Sequence, residues 1–88
     1  SPSGLFGYFS GTDVIKLTWR KTADTLRYSV EEEKNGQWVS AEKTKGDSAQ
    51  NGLTLTDRPM PGPYRFRVRA VNREGTASDP SLPITVEQ

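Results

Sequence analysis

Apolar and polar residues alternate with a period of two along most of this 88-residue chain, and no segment sustains a helical period. Alternation of this kind marks strands with one dry and one wet face. Ile15, Leu17 and Trp19 alternate with Lys16, Thr18 and Arg20. Leu26, Tyr28 and Val30 alternate with Arg27, Ser29 and Glu31, and Leu53 and Leu55 with Thr54 and Thr56. The clearest run sets Tyr64, Phe66, Val68 and Ala70 against Arg65, Arg67 and Arg69; Ile84 and Val86 close the chain in the same way. Asn35-Gly36 predicts a two-residue hairpin, because a type I′ turn needs positive φ at both central positions. That turn joins a strand at Tyr28–Lys34 to one at Gln37–Lys43. Lys45 to Gly52 reads as a polar loop. Arg58 to Pro63, with three prolines and a glycine, cannot continue a central strand. Asn72 to Pro80 reads as a second long connection with Gly75 near its tip. A first strand near Leu5–Phe9 brings the count to seven, at a spacing typical of an all-β sandwich. The expected common core is Ile15, Leu17, Trp19, Tyr28, Val30, Leu55, Tyr64, Phe66 and Val68.

The segment Pro63-Tyr-Arg-Phe-Arg-Val-Arg-Ala-Val-Asn-Arg-Glu-Gly75, followed by Ser78-Asp79-Pro80-Ser81, resembles the sixth strand and following loop of fibronectin type III domains. Ile15-x-Leu17-x-Trp19 resembles the family's second strand, Tyr28-x-Val30 its third and Leu53-x-Leu55 its fifth. The resemblance spans Asp13 to Val86. It implies a seven-stranded antiparallel immunoglobulin-like β-sandwich, with one domain over residues 5–88 and Ser1–Gly4 as linker or remnant. It also implies that the Tyr64 hydroxyl closes a tyrosine corner on a backbone group a few residues upstream. Two departures stand out. Where the family carries a leucine before the corner tyrosine, this chain has Arg58-Pro59-Met60-Pro61, with Met60 the candidate to fill that slot. Glycines at 4, 7 and 11 also make the opening strand atypical.

Composition narrows the function. Twelve basic residues against eleven acidic leave a net charge of +1, without the basic excess that nucleic-acid binding requires. No apolar run approaches a membrane span. The chain lacks histidine and cysteine, which removes the usual nucleophile–base pairs. Its acidic residues do not follow calcium-loop spacing, and no Gly-rich phosphate loop follows a strand. The expectation is no enzyme activity and no cofactor. Glu31-Glu32-Glu33, the densest acidic cluster, reads as a charged strand end. The lack of cysteine fits a reducing compartment and equally a cysteine-free bacterial secreted module. No Asn-x-Ser/Thr sequon occurs, and neither does an Arg-Gly-Asp tripeptide or a Trp-Ser-x-Trp-Ser box. This tilts toward a bacterial, phage or intracellular origin.

Four residues are candidates for surface binding: Trp38, Arg65, Arg67 and Arg69. Trp38, just after the hairpin turn, either contacts a sugar or protein or packs over the sheet edge. The arginines share the face opposite Tyr64, Phe66 and Val68, and Glu31 and Glu33 take the matching face of the third strand. Arginines two apart repel by about 0.6 kcal/mol in water, and each cross-strand opposite-charge pair returns about 0.2–1 kcal/mol. The arithmetic favours an ion-pair ladder over an anion or acidic-glycan site. Tyr8 and Phe9 cannot both face inward, so one is exposed or meets a neighbouring module. The reading that follows is a monomeric, non-catalytic spacer or adhesion module of a larger extracellular, cell-surface or phage-tail protein. Its partners would be neighbouring domains of the parent chain, with no nucleic acid and no membrane insertion. The alternative is a protein- or carbohydrate-binding module, or an accessory domain of a secreted polysaccharide-degrading enzyme.

Overall fold

The computed structural model describes residues 1–41 and 50–88. Seven strands form among them: β1 (Phe6–Gly11), β2 (Val14–Thr18), β3 (Arg27–Lys34), β4 (Gln37–Ser40), β5 (Gly52–Leu55), β6 (Tyr64–Val71) and β7 (Ile84–Val86). They build two antiparallel sheets, ordered β1-β2-β5 and β4-β3-β6-β7. Glu42 and Lys43, expected in the fourth strand, and most of the Lys45–Gly52 loop lie outside the described residues.

Strand parity decides the core. The inward residues Ile15, Leu17, Tyr28, Val30, Leu55, Phe66 and Val68 are buried, joined by Trp19, Ala70 and Val86. Tyr64, expected among them, is half-buried and packs on the cluster from its rim. The Trp19 and Tyr28 rings meet edge to face at 5.2 Å. The Tyr28 hydroxyl accepts a hydrogen bond from the Thr22 N–H at 2.8 Å. Asn35 and Gly36 have φ of 53° and 78°, the two positive angles that a type I′ turn demands.

Gly7 belongs to β1 for a packing reason. A Cβ there would lie 2.6 Å from Leu17 Cδ2 and 2.8 Å from Val86 Cγ2, so a glycine lets β1 close over the sandwich without displacing those core side chains. The glycine that made this strand look atypical is what seats it. Parity then sends Leu5 and Phe9 toward the core, and Phe6 and Tyr8 outward.

The corner between the sheets forms as the resemblance implies, with the Tyr64 hydroxyl donating to the Pro59 carbonyl at 2.8 Å. Met60 does not fill the leucine slot: it is 36% exposed. Instead, the Phe9 ring packs edge-on against Tyr64 at 6.2 Å. Beyond β6, β7 pairs only with Tyr64, Arg65 and Phe66. The Ser81 and Ser78 hydroxyls take over, accepting from the Val68 and Ala70 N–H groups at 3.0 Å each. The Ser81 and Ser78 N–H groups donate back to the Val68 and Ala70 carbonyls at 2.8 Å each, which is how the Ser-x-x-Ser segment substitutes for a longer strand.

The two ends of the chain leave from opposite poles. The Ser3 carbonyl accepts from Arg20 just past the end of β2. The Gln88 N–H bonds to Pro61, whose neighbour Met60 bonds to Thr12 in the β1–β2 turn. The long axis measures 37 Å against widths of 24 and 22 Å.

Candidate binding faces

The outer face of the four-stranded sheet gathers all four candidate residues. β3 and β6 pair with Glu31 opposite Arg67 and Ser29 opposite Arg69, while β4 places Trp38 opposite Glu33. Arg67 Nε lies 2.6 Å from Glu31 Oε1, and Arg69 Nε is 3.1 Å from the same oxygen. Arg69 also donates to the Ser78 carbonyl at 3.0 Å. Arg65 Nη1 is 3.0 Å from Glu33 Oε2. The Arg67 guanidinium sits over the Trp38 ring at 4.4 Å from its centroid, with Arg65 at 5.8 Å. Such stacking is favourable because the π face is electron-rich.

Trp38 is therefore half-buried beneath guanidinium groups rather than free in solvent. Burial alone would raise the Glu31 pKa, but the hydrogen bonds and charges of Arg67 and Arg69 outweigh it and hold the carboxyl below its usual value. Each arginine has a carboxylate partner, with Glu31 shared by Arg67 and Arg69, so the face is an ion-pair ladder with one positive charge in excess. An added anion would compete with Glu31 and Glu33 for these groups.

A second cluster escaped the reading of Glu31-Glu32-Glu33 as a charged strand end. Glu32 is only 2% exposed, because it shares its parity with Tyr28 and Val30. Arg58 of the β5–β6 loop meets it, with Nη2 at 2.7 Å from Oε1 and Nε at 3.4 Å from Oε2. The same guanidinium donates to the Thr56 and Ala41 carbonyls at 2.6 and 3.2 Å, and Lys34 Nζ stands 3.9 Å from Glu32. This clamp ties β3, the end of β4 and the β5–β6 loop together. A carboxylate at an inward strand position, together with a cation in the irregular Arg58–Pro63 loop, was the available signal.

The outer face of the three-stranded sheet carries Phe6 and Tyr8, 60% and 41% exposed. Their ring centroids lie 5.7 Å apart with planes inclined by 37°. Thr18 and Lys16 stand opposite them on β2, and Thr54 lies beyond Lys16 on β5. Among the described residues no group of three or more acidic side chains could hold a metal ion, and no helix is long and apolar enough to cross a membrane.

No family model matches the sequence, and neither does any curated protein. Solved structures do match it. A fibronectin type III-like protein from Clostridium thermocellum superposes with a TM-score of 0.80 at 20% identity, over 98% of this chain and 88% of that one. The fn3 domain of human collagen alpha-1(XX) chain gives 0.75 at 22% identity, over 99% and 82%. Domains A168–A170 from titin give 0.68 at 28% identity, over 98% of this chain and 32% of that one.

Proposed function

Because this chain has the fibronectin type III fold, we propose that it serves as a non-catalytic spacer module in a larger extracellular, cell-surface or phage-tail protein. The observation that carries this reading is the placement of the two ends at opposite poles of a 37 Å body. A chain that enters at one pole and leaves at the other is lengthened by the module. One that entered and left at the same pole would instead carry it as a side branch. The match to a three-domain stretch of titin, about a third of whose solved length this chain covers, supports use in series.

The Glu32–Arg58 clamp fits the same role. It ties β3 to the loop that leads into β6, close to the pole where the chain leaves. In the ladder of Glu31, Glu33, Arg65, Arg67 and Arg69 every arginine is already engaged by a carboxylate, as suits a surface built for solubility more than for capture.

The experiment is to join three copies head to tail through the native ends and measure small-angle X-ray scattering. Each added copy is expected to lengthen the particle by about one long axis. A trimer no longer than a dimer, with growth only in cross-section, would overturn the spacer reading.

A further inference from the structure

Phe6 and Tyr8 have no role in the fold's interior. They are two of five exposed large apolar residues among those described, with Val39, Met60 and Leu82, and the two that stand together on the wet face of one strand with their rings open to solvent. Successive same-face residues on a strand are spaced by about 6.6 Å, so centroids at 5.7 Å mean that the rings lean together into one platform. Beside it on the same face stand the hydroxyl and ammonium groups of Thr18 and Lys16 across β1–β2, and the hydroxyl of Thr54 on β5. No ion pair occupies Lys16 among the described residues.

From this arrangement we propose that the outer face of the β1-β2-β5 sheet binds a neutral polysaccharide chain, two consecutive sugar rings stacking on Phe6 and Tyr8. A pyranose presents a face of polarised C–H groups with hydroxyls at its rim. The C–H face matches an electron-rich aromatic face, and the rim hydroxyls match Thr18, Thr54 and Lys16. The ring separation is comparable with one sugar repeat. The 37° inclination suits two linked rings that rotate relative to one another, whereas a single flat aromatic ligand could lie on only one of them.

Size argues against a protein occupant. A stable protein interface takes about 800 Å² from each partner, several times the area that two partly exposed aromatic side chains present. This inference stands apart from the spacer reading, since a chain-extending module can bind or ignore sugars.

The test is a ¹⁵N chemical-shift titration of the intact domain with cellohexaose, xylohexaose and chitohexaose, each taken to about 10 mM, above the millimolar range expected of so small a contact. At least one is expected to shift the amides of Phe6, Tyr8 and Thr18 in a saturable manner. Phe6→Thr and Tyr8→Thr, which keep β-propensity at exposed positions, are expected to weaken that binding at least tenfold while leaving the melting temperature unchanged. Three results would overturn the proposal: no shift with any of the three sugars, shifts that survive both substitutions, or self-association through β1 seen by sedimentation of the free domain. None of these bears on how the ends of the chain are placed.

Discussion

Replacing Arg58 by Met removes the guanidinium from the Glu32 clamp but keeps most of the stem that covers it. The wild-type carboxylate is buried, with Arg58 at 2.7 Å and the mostly exposed Lys34 amine at 3.9 Å. Breaking one side of a buried ion pair costs about 3–5 kcal/mol, because the remaining charge is left without compensation. A domain of 88 residues has a total stability of about 4–13 kcal/mol, so this one change removes a large share. Equilibrium unfolding in urea, which adds no ionic screening, is the suitable assay. With m of about 1–3 kcal/mol/M, the midpoint of Arg58→Met is expected to fall by at least about 1 M. Glu32→Leu in the Arg58→Met background removes the stranded charge and is expected to recover most of the loss, since apolar replacement of a whole buried pair is often neutral or stabilising. If Arg58→Met unfolds within about 1 kcal/mol of wild type, or the double variant is no better than the single, the clamp is not the stabilising element argued above.

Further outcomes follow from the core and the ladder. Trp19→Ala is expected to cost about 3–5 kcal/mol, read as a fall in the thermal midpoint, since Trp19 packs edge-on against Tyr28 in the buried cluster. Gly7→Ala forces a methyl to within 2.6 Å of Leu17 and 2.8 Å of Val86 and is expected to cost about 1–3 kcal/mol by overpacking. Reversing Glu31 and Glu33 to Lys is expected to destabilise modestly, with the difference shrinking at high salt. The Glu31 carboxyl is held below its ordinary value of 4.5, so its contribution is fully present above that pH and is lost as pH falls through the depressed folded value. The stability gap between wild type and Glu31→Gln, followed in urea across pH, is expected to narrow below about 4.5.

Much of this molecule was legible in its sequence because each strand carries period-two parity. Parity places Ile15, Leu17, Tyr28, Val30, Leu55, Phe66 and Val68 inside and Glu31, Glu33, Arg65, Arg67 and Arg69 outside, and the strand order implied by the family resemblance brings those charges together. Asn35-Gly36 names its own turn through φ. What stayed hidden depended on contacts distant in sequence. Glu32 and Arg58 are 26 residues apart, and the same parity rule that orients Tyr28 and Val30 also points Glu32 inward; reading the three glutamates as one exposed run obscured it. Met60 occupies the position in sequence where a leucine would fill the corner, but the Arg58–Pro63 loop turns it outward and leaves Phe9 against Tyr64. Trp38 lay between exposure and packing because its cover comes from arginine side chains of β6, two strands away across the sheet. The outward stance of Phe6 and Tyr8 needed the seating of Gly7, a close approach that no local pattern announces.

The separation of the two ends carries the spacer reading, and the absence of native cysteine makes it directly measurable. Spin labels attached through Ser3→Cys and Gln88→Cys allow the distance between the poles to be read by double electron–electron resonance in the folded domain. The expected distribution is narrow and centred beyond the 24 Å width, toward the 37 Å long axis. A centre well below 24 Å would place both ends on one side of the sandwich and contradict the account.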